Sequence, residues 1–159
     1  MARLDKRYGG GPMSVVRYAM EIDARPEEVW SVVADPRHLV RWNAHIRSVT
    51  GVPPGGLVEG SAYTTELRIL GHAFKIRARV LEIDPPRSSV IRLSGPLDAV
   101  IRTWVRPVGK SHARLEHEVE YHFKGGRVGE LIARAVQHIG APSILKHGVR
   151  AQKEQVESG

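Results

Sequence analysis

Apolar side chains recur at every second position through most of residues 61–123, and from Arg127 onward they recur every third or fourth. A period of two belongs to strands, and a period near 3.6 to a helix. The chain is therefore mostly sheet first and helix last, which leaves few ways to bury both apolar faces. On the last expected strand Leu115, His117, Val119, Tyr121 and Phe123 alternate with Arg114, Glu116, Glu118, Glu120 and His122. Val128, Ile132, Ala135, Ile139, Leu145, Val149 and Val156 then form one stripe on a helix from 127 to about 157. Such a helix is on the order of 45 Å long at about 1.5 Å per residue. Gly140-Ala141-Pro142 interrupts it. Proline removes a backbone bond, so a kink or a division into two segments is expected there.

Strands are expected near 14–22, 46–51, 61–70, 73–83, 89–94, 99–107 and 113–123. The links between the later ones are short and rich in Gly and Pro, which favours antiparallel neighbours. Between the first two strands, Pro26 with Glu27 and Glu28 opens one short helix, whose apolar face holds Val29, Trp30 and Val33. Asp35-Pro36 repeats that start signal for a second, which carries Leu39, Val40 and Trp42. The expected architecture is α+β: a curved seven-stranded antiparallel sheet wrapped around a long C-terminal helix, with two short helices after the first strand. A sheet covered on one face by one helix can enclose a cavity between them. Residues 1–12 read as a flexible arm and 13–159 as the domain, with Met13 an alternative start.

A chain of 159 residues suits a single core. No stretch of about 18 apolar residues is present to span a membrane. The opening MARLDKRYGGGPM lacks an apolar run behind its charges, so a cytoplasmic location is expected. Cysteine is absent, which removes disulfides, thiolate metal sites and thiol nucleophiles. Lys and Arg number 24 against 17 Asp and Glu, a net charge of +7, but the charges are spread along the chain. No nucleic-acid partner is expected. Arg68, Lys75, Arg77 and Arg79 share the outward parity of two adjacent strands and could meet an anionic membrane surface. Glu116, Glu118 and Glu120 should face outward away from them.

Catalytic motifs are few. His112, His117 and His122 are spaced so that neighbours point to opposite sheet faces, and His138 and His147 are half a helical turn out of phase. No metal or other cofactor is expected. No Gly-x-Ser-x-Gly elbow occurs, and the glycines at 9–11 do not sit between a strand and a helix. Glu82 shares parity with Val80 but lies near a strand end, where it reads as solvated or paired and only weakly as a candidate acid, so paired carboxylate chemistry is not expected.

The stretches EIDARPEEVWSVVADPRHLVRW at 21–42, VLEIDPPRSSVIRL at 80–93 and RLEHEVEY at 114–121 resemble the START-like (SRPBCC) superfamily, in its polyketide cyclase/dehydrase-like branch. The resemblance covers nearly all of 14–157. It implies the helix-grip fold, with strand order 1-7-6-5-4-3-2 and a cavity under the terminal helix. It does not imply one activity. In the aromatase/cyclases of that branch, the pocket arginine of the fourth strand corresponds to Val80. The tyrosine after the second helix falls near Ile46, and the tryptophan of the last strand falls at His117. Less hardware for polarising carbonyls remains, which favours a greasier ligand.

Strand parity names the expected cavity wall: Tyr63, Thr65 and Leu67; Phe74, Ile76, Ala78 and Val80; Ile91 and Leu93; Ile101 and Thr103; His117, Val119 and Tyr121. Leu39, Ile46, Ile144 and Gly148 complete it. On the sixth strand Ala99, Ile101, Thr103 and Val105 are preferred as the inner set, because the alternative would bury Arg102 and Arg106. His117 is either a bonded core histidine or a pocket group, and in the second case it is the candidate acid or base. Its expected partner is a tyrosine hydroxyl, a backbone carbonyl or trapped water. Trp30 reads as a core anchor, and Trp42 as core or rim. Three functions are compatible with these features: a container for a hydrophobic small molecule such as a lipid, isoprenoid or polyketide; a polyketide cyclase or dehydratase; or a protein-interaction module.

Overall fold

Each run of alternating residues becomes a strand of one sheet. The computed structural model describes residues 14–69 and 71–159; the expected arm at 1–12, and Met13, lie outside them. β1 (Ser14–Ile22) leads to α1 (Pro26–Val33), a 3-10 turn (Pro36–His38) and α2 (Leu39–Trp42). Then come β2 (Ile46–Thr50), β3 (Ala62–Ile69), β4 (His72–Asp84), β5 (Ser88–Ser94), β6 (Leu97–Val108) and β7 (His112–Phe123). The chain ends in α3 (Arg127–Ile139) and α4 (Ala141–Ser158). All neighbours are antiparallel, in the order β1-β7-β6-β5-β4-β3-β2. This is the expected helix-grip arrangement.

The short helices start where the sequence signals them. The Glu28 carboxylate accepts from the backbone N–H of Arg25 at 2.9 Å, and that of Asp35 from Arg37 N–H at 3.0 Å. Each satisfies a donor that a helix start leaves free. The terminal stripe is divided rather than kinked. Gly140 separates α3 from α4 at φ 88°, a conformation that glycine adopts at little cost. Ile132 and Val149 of the stripe are buried, and Leu145 and Val156 are half-buried. The side chains at 128, 135 and 139 lie outside the described residues.

The two terminal helices serve two cores. Under α4, Val149 packs with Ile22, Val29, Val105, Ala113 and Leu115, with Trp30, Leu145 and Val156 at the margin. Under α3, Ile132 packs with Ile69 and Phe74, beside Leu97 and Phe123. The cavity lies between them.

Register fixes which side chains share a level of the inner face. Ser89, Thr103, His117 and Tyr18 are direct cross-strand partners on β5, β6, β7 and β1. The next level is Val80, Ile91, Ile101 and Val119, and the one after it Tyr63, Ala78, Leu93, Ala99 and Tyr121. The preferred parity of β6 holds: Ala99, Thr103 and Val105 are buried on the inner side. Arg102 and Arg106 go outward, where the acids of β7 meet them. Arg102 lies 3.1 Å from Glu118 and 3.3 Å from Glu120, and Arg106 lies 3.1 Å from Glu116. Glu118 also pairs with Arg17, its direct partner on β1. The acids of β7 thus face outward as expected, and Glu118 is buried there beneath these arginines.

Glu82 is solvated, as its place near a strand end leads one to expect. The β4–β5 register slips between Val80 and Glu82. An extra residue in one strand reverses the parity beyond it, so Leu81 and Glu82 are both exposed and Ile83 turns inward. Glu82 is therefore not an inward acid. Arg68, Lys75, Arg77 and Arg79 are all exposed on the outer face, as expected. Among the described residues no helix is long and apolar enough to cross a membrane.

Candidate functional site

Between the inner sheet face, α1, α2 and α4 lies a cavity of about 340 Å³. Of the residues expected from the sequence, Leu39, Ile46, Tyr63, Thr65, Leu67, Ile76, Ile91, Leu93, Ile101, Thr103, His117, Val119, Ile144 and Gly148 line it. Phe74, Ala78, Val80 and Tyr121 do not. Phe74 is drawn into the core under α3 with Ile69 and Ile132. Ala78 offers one methyl group between its longer cross-strand partners Tyr63 and Leu93 and is fully buried. Val80, paired with Ile91 just before the bulge, is 1% exposed. Tyr121 is engaged edge-on with Phe123, their centroids 5.5 Å apart.

Other wall residues were absent from the expected set. Ser89 and Leu97 have the parity of Leu93 and Ala99, so the signal was present for both. Gln152 lies one helical turn beyond Gly148 on the same face, but its polar identity disguised it. Ile83 was hidden by the bulge, and Leu57 by its place in the long β2–β3 connection. Trp30 and Trp42 also reach the cavity. Trp42 is buried and donates from Nε1 to Gln155 Oε1 at 2.7 Å.

His117 is held on both sides. Its Nδ1 lies 2.8 Å from Thr103 Oγ1 and its Nε2 lies 2.9 Å from Gln152 Oε1. Both partners are side chains, not the tyrosine, carbonyl or water expected. Gln152 Oε1 can only accept, so Nε2 carries the ring proton and Nδ1 accepts from the threonine hydroxyl. Burial pushes the imidazole below its ordinary pKa of 6.5, and the Gln152 bond opposes this only in part. Tyr63 is pushed up to about 12 by burial, so its hydroxyl stays protonated. No Asp, Glu, Lys or Arg lines the cavity among the described residues. Nor, among the described residues, do any three or more His, Asp or Glu come together to hold a metal ion.

A model of the family described as polyketide cyclase/dehydrase and lipid transport matches residues 13–157. The chain belongs to that family. Among solved structures, it is similar to the Zhui aromatase/cyclase of Streptomyces sp. R1128, with TM-score 0.72 and 13% identity over 92% of this chain and 94% of that one. A START superfamily protein of Mycobacterium smegmatis gives 0.68 and 17% over 91% and 97%. Norcoclaurine synthase of Thalictrum flavum, solved with dopamine and hydroxybenzaldehyde, gives 0.65 and 17% over 99% and 98%. At these identities the likeness is one of fold. An uncharacterized protein of Mycobacterium tuberculosis is 28% identical over 123 residues, 72% of this chain. The chain spans about half the length of that relative, 50%.

In this member of the polyketide cyclase/dehydrase and lipid transport family, the buried imidazole has a consequence for stability. An unfolded histidine takes a proton near pH 6.5, whereas the folded ring resists it. Its folded pKa is depressed, so the stability it protects is complete above about pH 6.5 and is lost as pH falls below that value. Urea midpoints measured between about pH 7.5 and about pH 5.5 should fall more for the native chain than for His117→Phe. Equal losses would mean that the ring is protonated without cost to the fold.

Proposed function

We propose that the chain is a container for a hydrophobic small molecule, held between the sheet and α4. The observation that carries this reading is the cavity of about 340 Å³, walled mostly by aliphatic and aromatic side chains, with neutral polar ones among them and no charged group among the described residues. That volume lies at the lower end of the roughly 300–1,000 Å³ found for small-molecule sites. A cyclase or dehydratase needs an acid or base free to meet its substrate. The one imidazole here has both nitrogens engaged, which favours holding over chemistry. Native mass spectrometry of protein purified from its own host tests the reading. A stoichiometric small-molecule adduct is expected. Absence of any adduct, together with failure to take up a neutral apolar dye, would overturn it.

The basic outer face of β3 and β4 fits delivery to an anionic lipid surface. Binding to phosphatidylserine vesicles should weaken steeply between about 50 and about 300 mM salt. Salt-insensitive or absent binding would reduce Arg68, Lys75, Arg77 and Arg79 to ordinary surface charges.

A further inference from the structure

Within the proposed container, the cross-strand levels differ in chemistry. One level is polar: Ser89 on β5, Thr103 on β6 and His117 on β7, with Gln152 reaching it from α4. The next, Ile91, Ile101 and Val119, is wholly aliphatic. The polar level is internally bonded but not saturated. Thr103 spends its proton on His117, and Gln152 spends its oxygen there. Among the described residues, the Gln152 amide nitrogen and the Ser89 hydroxyl have no partner, and neither is among the enclosed atoms left unsatisfied. Both residues line the cavity. Directly opposed positions on neighbouring strands lie about 4.5–5.5 Å apart at Cβ. The Ser89 hydroxyl therefore sits beside the Thr103–His117–Gln152 chain, and the level presents two donors and spare hydroxyl lone pairs to the cavity.

These groups are suited to an uncharged oxygen. An alcohol or carbonyl oxygen can accept from the Gln152 amide and exchange a bond with Ser89. A carboxylate or phosphate would bring a full charge into an apolar enclosure whose described wall holds no cation, and the desolvation of such a charge goes uncompensated. Tyr63 and Thr65, on β3, are neutral as well. We infer that the cavity selects neutral, oxygen-bearing hydrophobic molecules, with the alcohol or carbonyl seated at the Ser89–Gln152 level, and discriminates against free fatty acids and phosphoesters. This rests on the container reading and adds to it the class and orientation of the ligand.

The test is displacement of the neutral dye phenylnaphthylamine from the full chain by tetradecanol, methyl tetradecanoate and tetradecanoate near pH 7.5. The alcohol and the ester should displace the dye at concentrations at least roughly tenfold below those needed for the carboxylate, the ratio that about 1.4 kcal/mol supplies. Ser89→Ala should weaken the alcohol and the ester by roughly fivefold relative to the dye, as expected for losing one neutral hydrogen bond. If tetradecanoate competes as well as tetradecanol, selection for neutral ligands is overturned while the container stands. If Ser89→Ala weakens all three competitors and the dye alike, or none of them, the assigned seat is wrong. Failure of the dye itself to bind, with no adduct in the native mass spectrum, would overturn the container and the selectivity together.

Discussion

Gly148→Phe is expected to abolish uptake of a neutral dye without unfolding the protein. Gly148 lies inside α4, where glycine is about 1 kcal/mol less favourable than alanine. Nothing stands within 4 Å of where its Cβ would be. The space beside it belongs to the cavity, with Ile144 and Gln152 one turn away on either side. A phenyl ring there would occupy the ligand's room instead of colliding with the core. Affinity for the dye should fall by at least roughly tenfold, about 1.4 kcal/mol. Gly148→Ala provides the control: it should raise stability by about 0.5–1 kcal/mol and leave binding within roughly a factor of three. Fluorescence titration and thermal melts of the three proteins decide the matter. Full dye affinity in Gly148→Phe would mean that ligand enters elsewhere.

Leu115→Ala should produce the largest loss of stability among single core truncations. Leu115 is fully buried and packs with Ile22, Val29, Val105, Ala113 and Val149, where β1, β7, β6, α1 and α4 meet. Removing three carbons from such a site costs roughly 3–5 kcal/mol, a transfer cost plus a cavity that the neighbours cannot fill. In a domain of this size each kcal/mol moves Tm by about 2–4 °C, so a decrease on the order of 10 °C is expected. Val15, more than half exposed on β1, should change by less than about 0.5 kcal/mol when cut to alanine. Calorimetry of both variants checks the contrast. A loss below about 1 kcal/mol at Leu115 would contradict the rigid packing described for this core.

The fold was legible because alternation and helical spacing report burial directly. His117, Val119 and Thr103 could be assigned to the cavity by parity alone, since a strand gives each side chain only two directions. Parity says nothing about how far along the face a cavity reaches, which is why Phe74 and Tyr121 were assigned to it but pack elsewhere. It also fails at a bulge. No residue type marks the slip between Val80 and Glu82, so the inward turn of Ile83 was overlooked. The partners of His117 were missed for a different reason. Gln152 is separated from it by 35 positions, and the helix rotation that aims an amide at an imidazole is set by packing, not by any local pattern. On the outer face, the acids of β7 and the arginines of β6 were each visible, but the register that makes them partners was not.

The sheet order carries a consequence for the ribosome-bound chain. β2 to β6 each pair with the strand next in sequence, so these hairpins can close in turn as the polypeptide emerges. β1 is made first but sits at the sheet edge beside β7, with Ser14 opposite Tyr121. It must remain unpaired until Ala113, the partner of Ile22, has been made, and α4, which also packs against it, comes later still. Closing so long a loop is entropically unfavourable until many contacts form together. Completion of the sheet therefore waits until β7 and α4 have both been made. A nascent chain stalled before β7 would display β1 as an open apolar edge, the kind of surface that chaperones hold and neighbouring chains capture.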